Sequence, residues 1–98
     1  MEKRSPHYKL AVVRALAGKG QVQTTRTARE GATALGIDFD HMLGVVLALT
    51  SSDFYKSMSS HADHHLWQDV YRPQTAFGDV YLKVTVIENL LIVSFKEL

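Results

Sequence analysis

The sequence predicts an α+β fold, with N-terminal helices packed on one face of a C-terminal antiparallel sheet. Two observations carry this. In the first half, apolar residues recur at helical spacing between capping and stop signals, whereas in the second half the period changes to two. The final stretch, DVYLKVTVIENLLIVSFKEL, alternates over two runs separated by Glu88-Asn89 and reads as a half-buried antiparallel hairpin.

Ser5-Pro6 reads as an N-cap with proline at the first helical position. Leu10, Val13 and Leu16 then recur at helical spacing, with Val12 and Ala17 beside them, until Gly18-Lys19-Gly20 stops the helix. Gln21 to Thr24 is a short extended piece. Thr27-Ala28-Arg29-Glu30 fits the capping-box pattern and opens a second helix, which Gly36 ends as a C′ residue. Asp38 caps a third helix whose Met42, Val45, Val46 and Leu49 form one apolar stripe, the mark of a core-facing side. Asp53–Met58 and Trp67–Arg72 read as strands, and Pro73 and Gly78 punctuate the chain between them and the final hairpin.

The hairpin register carries a chemical consequence. A two-residue turn at Glu88-Asn89, where Asn89 tolerates a positive φ, sets Ile87 opposite Leu90. Counting back, Thr85 faces Ile92, Lys83 faces Ser94 and Tyr81 faces Lys96. The core set becomes Leu82 with Phe95, Val84 with Val93 and Val86 with Leu91. Opposed residues have Cβ atoms roughly 4.5–5.5 Å apart, so a phenol and an ammonium meet on the open face of the sheet. From composition alone, a solvated strand face with a snorkelling lysine is the simpler account.

At 98 residues the chain has the length of one small domain, residues 1–98, and its 46% hydrophobic content suits a folded core. No apolar run approaches the ~20 residues that span a bilayer, and MEKRSPHYKL has no signal-peptide character. The absence of cysteine excludes disulfides and thiolate chemistry. These features suit a cytoplasmic protein with no membrane partner. Net charge is only +1, but residues 1–31 hold seven Lys/Arg against two Glu, and residues 32–69 one Lys against five Asp. The basic front third fits either ordinary helix-surface charge or a phosphate-facing patch.

The segment YKSMSSHADHHLWQDVYRP gathers His61, Asp63, His64 and His65. His61 and His65 would share one face of a helical turn. Their spacing matches no established zinc motif, and no second ligand group stands out, since His7 and His41 lie in the other half of the chain. A polar connector between strands is the simpler reading, with no metal and no cofactor. No serine sits in an elbow motif and no glycine-rich phosphate loop is present.

The segments MEKRSPH, DFYKSM, WQDVYRP, VYLK and LIVSFKE, in that order and spacing, resemble the motility quorum-sensing regulator (MqsR) toxins over essentially the whole chain. The resemblance implies the toxin of a type II toxin–antitoxin pair with a RelE-like α+β fold. It implies a ribosome-independent mRNA endonuclease that cuts at GCU-type triplets without metal. Its substrate would be single-stranded mRNA. Its protein partner would be a cognate, MqsA-like antitoxin that itself binds zinc and DNA. The family's functional lysine in FYKSM falls on Lys56, its glutamine in WQDVYRP on Gln68, its tyrosine in VYLK on Tyr81, and the lysine of SFKE is Lys96. Arg72 and Lys83 join them as expected phosphate contacts.

These residue types suit the chemistry. Metal-free RNA cleavage uses the 2′-hydroxyl as nucleophile on the adjacent phosphate. It needs a proton acceptor, a cation for the developing charge and a donor for the 5′ oxygen. Lys56 is the transition-state cation, or the general base if neighbouring cations lower its pKa from ~10.4. Tyr81 transfers a proton or orients the substrate, and Gln68 positions it. Strand parity sets a problem, because Lys56 alternates in step with Phe54 and Met58. Either the strand is irregular there, or large apolar groups line the site. The competing function is a non-catalytic module that binds a protein partner by strand addition on the exposed sheet.

Overall fold

A computed structural model of the chain describes every residue except His64. In chain order the elements are β1 (Glu2–Lys3), α1 (Leu10–Gly18), β2 (Val22–Thr24), α2 (Arg26–Ala34), α3 (Phe39–Leu47), a 3-10 turn (Ser51–Asp53), β3 (Phe54–Ser59), β4 (Trp67–Tyr71), β5 (Gln74–Thr75), β6 (Gly78–Ile87) and β7 (Asn89–Glu97). The strands run β1-β3-β4-β6-β7-β2, with the short β5 paired to β6. The α+β expectation is borne out, with one refinement. β2 joins β7 in parallel, while the other pairs are antiparallel.

The helices cover one face of the sheet. Val13 and Ala17 of α1, Ala28 and Ala32 of α2, and Met42 and Val46 of α3 form one buried cluster with Tyr71, Val80, Leu82, Val84, Leu90, Ile92 and Phe95. Full burial of side chains such as Met42 or Leu82 stabilises by about 1.5–3 kcal/mol each. The third helix follows the sequence reading closely. Asp38 caps it by accepting the His41 N–H at 2.9 Å, and Met42, Val45, Val46 and Leu49 are all buried. Gly36 takes the expected left-handed φ of 76° after α2.

The two earlier helices start elsewhere than expected. α1 begins at Leu10, with Lys9 in the N-cap position, and not after Ser5-Pro6. The N–H groups of His7 and Tyr8, which an early helix would have held, donate to the carboxylate of Asp69 at 3.0 and 2.9 Å. Val12 is exposed and lies off the buried stripe. α2 is capped by Thr25 and not by Thr27. The Thr25 hydroxyl accepts the Ala28 N–H at 3.0 Å and donates to the Val93 carbonyl at 2.7 Å, while Glu30 pairs with Arg26. Two bonds at Thr25 outweigh the single local bond that Thr27 could offer.

The hairpin departs from the predicted register twice, and the departures cancel. Glu88 alone makes the turn, with a φ of 64°, and Ile87 pairs with Asn89. Val86 therefore meets Leu90, Thr85 meets Leu91 and Val84 meets Ile92. The register then shifts at Lys83/Val84, leaving Val93 as an extra residue in β7. Beyond it, Lys83 pairs with Ser94, Leu82 with Phe95 and Tyr81 with Lys96, as predicted. The core residues of β7 near the turn are thus Leu90 and Ile92, replacing the expected Leu91 and Val93. The bulge sits where β2 ends. There Thr25 donates its N–H to the Ile92 carbonyl at 3.0 Å and its hydroxyl to Val93, and α2 turns across the sheet.

α2 lies close on β7. A Cβ added to Gly31 would collide with the carbonyl of Phe95. Alanine is the better helix former by ~1 kcal/mol, so at an open site Gly31→Ala would stabilise. Here the overpacking cost of roughly 1–3 kcal/mol is expected to win. Urea denaturation should show a net loss; a neutral or stabilised variant would mean that α2 can retreat freely from β7.

Asp69 is completely buried and holds the N-terminal segment across β4. That segment also lays the His7 ring parallel to Trp67 at 5.4 Å and sets the Lys3 ammonium over the same indole at 4.2 Å. Asp69→Ala should cost about 2 kcal/mol, since two backbone donors lose a charged acceptor. Amide exchange at His7 and Tyr8 should accelerate in that variant. Unchanged protection there would refute the anchoring role.

Candidate active site

Cross-strand pairing lines up Lys56, Val70, Lys83 and Ser94 across β3, β4, β6 and β7. Paired residues project from the same face, here the one opposite the helices. One step along, Met58 pairs with Gln68, and two residues the other way Tyr81 pairs with Lys96. Lys56, Gln68, Tyr81, Lys83 and Lys96 therefore share one sheet face. Val70 is fully buried even though it stands on this face, between its cross-strand neighbours Lys56 and Lys83.

The parity problem resolves through a bulge. Phe54 pairs with Tyr71 and packs edge-on against its ring at 5.6 Å on the core side. The register then shifts, and the next paired residue is Lys56, opposite Val70. Tyr55 is the extra residue. Lys56 and Met58 thereby reach the open face while Phe54 stays in the core. The strand is irregular, and Met58 remains as an apolar neighbour of Gln68.

Within the face, the contacts divide into two groups. On one side, the Lys96 ammonium lies 5.2 Å from the Tyr81 ring centroid. On the other, the Lys56 ammonium meets the Glu2 carboxylate at 2.6 Å and lies 5.4 Å from the Tyr55 ring. With strands roughly 4.8 Å apart, Lys56 on β3 and Lys96 on β7 are about 14 Å apart laterally at the backbone. Arg72 follows β4 and lays its guanidinium over Tyr55 at 4.0 Å.

The two central lysines have opposite electrostatics. The hydrogen bond from Lys56 to Glu2 holds the Lys56 pKa above the ordinary lysine value, and Lys56 in turn lowers that of Glu2. Lys56 is therefore firmly cationic. Lys83 moves the other way, because burial disfavours its charge and the nearby Lys96 adds repulsion. The expectation of a lysine whose pKa is lowered by neighbouring cations fits Lys83 and not Lys56.

Two residues on this side of the sheet escaped sequence reasoning. Glu2 reaches Lys56 across 54 residues of sequence, through the pairing of β1 with β3, and no local pattern announces it. Tyr55 was signalled only by the conflicting parity of Phe54 and Lys56. The histidine segment forms the connection between β3 and β4. His61 and His65 are exposed, and Asp63 accepts the His65 N–H at 2.8 Å; His64 lies outside the described residues. Among the described residues, no group of three or more His, Asp or Glu is placed to hold a metal ion. A cleft of about 410 Å³ between α3 and β5, lined by His41, Val45 and Phe77, contains none of the candidate residues. No described helix is long and apolar enough to cross a membrane.

The chain is 58% identical over 97 residues to the mRNA interferase toxin MqsR of Escherichia coli (strain K12), covering 99% of each chain. A family model described as "Motility quorum-sensing regulator, toxin of MqsA" matches residues 5–97. The chain belongs to the motility quorum-sensing regulator family, the toxins of MqsA.

Proposed function

We propose that this chain is an endoribonuclease toxin that cuts single-stranded mRNA on the open face of its sheet. The observation that carries the reading is the grouping of Lys56, Gln68, Tyr81, Lys83 and Lys96 on one face. The name of the Escherichia coli relative supports the substrate class. The finer reading is of a single RelE-like domain acting in the cytoplasm, independent of ribosome and metal, at GCU-type sites. Its antitoxin is an MqsA-like protein that binds zinc and DNA.

The chemistry follows from the residues. The 2′-hydroxyl loses its proton and its oxygen bonds to the adjacent phosphorus. The bond to the 5′ oxygen breaks, and that oxygen gains a proton. The products are a 2′,3′-cyclic phosphate and a 5′-hydroxyl. Lys56, held protonated by Glu2, stabilises charge on the phosphate. Lys83 is mostly charged at neutral pH, but burial and Lys96 lower its pKa, so it has a larger neutral fraction than Lys56, and that fraction can accept the 2′ proton. Tyr81 donates toward the leaving oxygen, with Lys96 beside its ring. Gln68 positions the substrate, and its side chain has no hydrogen-bond partner among the described residues.

Purified protein should cleave a GCU-containing RNA in the presence of EDTA. Loss of activity with EDTA, restored by a divalent ion, would overturn metal independence. Lys56→Ala should retain its melting transition and lose at least about a hundredfold in rate, the scale of one electrostatic transition-state contact. Wild-type rates in that variant would remove Lys56 from the site.

Lys83 couples activity to stability. Its folded-state pKa lies below the unfolded value, so its charge opposes folding at neutral pH. That opposition fades as pH rises through the lysine range toward ~10.4. Lys83→Met should therefore melt higher than wild type at pH 7, with the difference shrinking as pH increases, while cleavage falls. A variant that is less stable at pH 7, or that cleaves normally, would contradict this assignment.

A further inference from the structure

We propose that Tyr55 and Arg72 form a nucleotide-binding subsite beside Lys56, holding one unpaired RNA base by stacking and its phosphate on the guanidinium edge. The subsite rests on the endoribonuclease reading and extends the RNA path beyond the reacting phosphate.

The geometry is built by the backbone. Tyr55 is the bulged residue of β3, so it leaves the ladder while Phe54 on one side enters the core and Lys56 on the other faces the open surface. It remains 37% exposed, a large aromatic ring kept in solvent. Arg72 is fixed at the facing end of β4, where its N–H donates to the Asp53 carbonyl at 2.8 Å. Its guanidinium carbon sits 4.0 Å from the Tyr55 centroid, and the Lys56 ammonium is 5.4 Å from the same ring. Arg72 is exposed and has no carboxylate partner among the described residues.

This combination matches how proteins hold single-stranded RNA. Unstacked bases lie on aromatic rings or on arginine planes, and cations beside them take the backbone phosphates. A guanidinium stacked on a ring keeps its edge donors free, so one side chain can serve base and phosphate together. Stacking tolerates any base, so the subsite adds affinity without selecting sequence. A purely structural cation–π pair accounts for the 4.0 Å contact. It does not account for an uncompensated arginine and an exposed ring set next to the lysine that meets the scissile phosphate.

The test measures KM and kcat for cleavage of a GCU-containing RNA. In parallel, it measures binding of the uncleavable 2′-O-methyl analogue carrying 2-aminopurine beside the cleavage site. Tyr55→Ala should raise KM and the analogue's Kd about tenfold or more and relieve 2-aminopurine quenching, with kcat changed by less than about threefold. Tyr55→Phe, which keeps the ring, should stay near wild type. Arg72→Gln should weaken binding and reduce the salt slope by about 0.7, the value for one phosphate contact on a single strand. An active wild type whose KM and Kd are unchanged in Tyr55→Ala overturns the subsite. If Tyr55→Ala fails to fold by circular dichroism, Arg72→Gln decides, and a wild-type Kd and salt slope there overturns it. If the wild type neither binds nor cuts the RNA, the endoribonuclease reading fails first and the subsite falls with it.

Discussion

The buried carboxylate of Asp69 is the constraint on which the N-terminal side of the molecule depends. A buried carboxylate needs donors from the protein, and the backbone N–H groups of His7 and Tyr8 supply one to each Asp69 oxygen. Those two bonds fix where the chain crosses the sheet. They set β1 against β3 upstream and leave α1 to begin at Leu10 downstream. β1 then brings Glu2 onto Lys56. The acid on the core face thus anchors the segment that carries Lys56's carboxylate partner on the open face. The pair keeps Lys56 charged, because the Glu2 carboxylate holds its pKa above the ordinary lysine value.

Two bulges shape the open face. The one at Tyr55 lets a single strand send Phe54 into the core and Lys56 to the surface. The one at Val93 lets β7 meet both β6 and the end of β2. Each costs a ladder position and adds local twist. Each is also tied to a hydrogen bond outside the ladder, from Arg72 to Asp53 in one case and from Thr25 to Val93 in the other. Neither is a slack point.

Much of the fold was legible in the residues, for identifiable reasons. α3 combined a capping aspartate with a clean apolar stripe, and both features appear in place. The meeting of Tyr81 and Lys96 was also foreseen, although the expected turn was one residue too long and the bulge that restores the count had no sequence signal. The near-turn core was not legible, because Leu90, Leu91, Ile92 and Val93 are apolar at both parities and fit either register. Thr25 and Thr27 both suit a cap, and only the contact of Thr25 with β7 distinguishes them. On the candidate site, grouping on one face could be read from alternation for β6 and β7. The pairing of Lys56 with Glu2 could not, since it depends on strand order rather than on any local pattern.

The position of β7 between β6 and β2 has a kinetic consequence. Its contact with the N-terminal part of the chain joins residues as far apart as Thr25 and Val93, separated by 68 positions. Long loops must close before such pairing repays their entropy, so this step belongs late in folding. Until it happens, β7 carries an unpaired edge with apolar residues on both faces, and α2 has no surface on which to seat Ala28, Gly31 and Ala32. The half-assembled chain is therefore the species that exposes the most apolar strand edge, and closure of β7 onto β2 is what removes it.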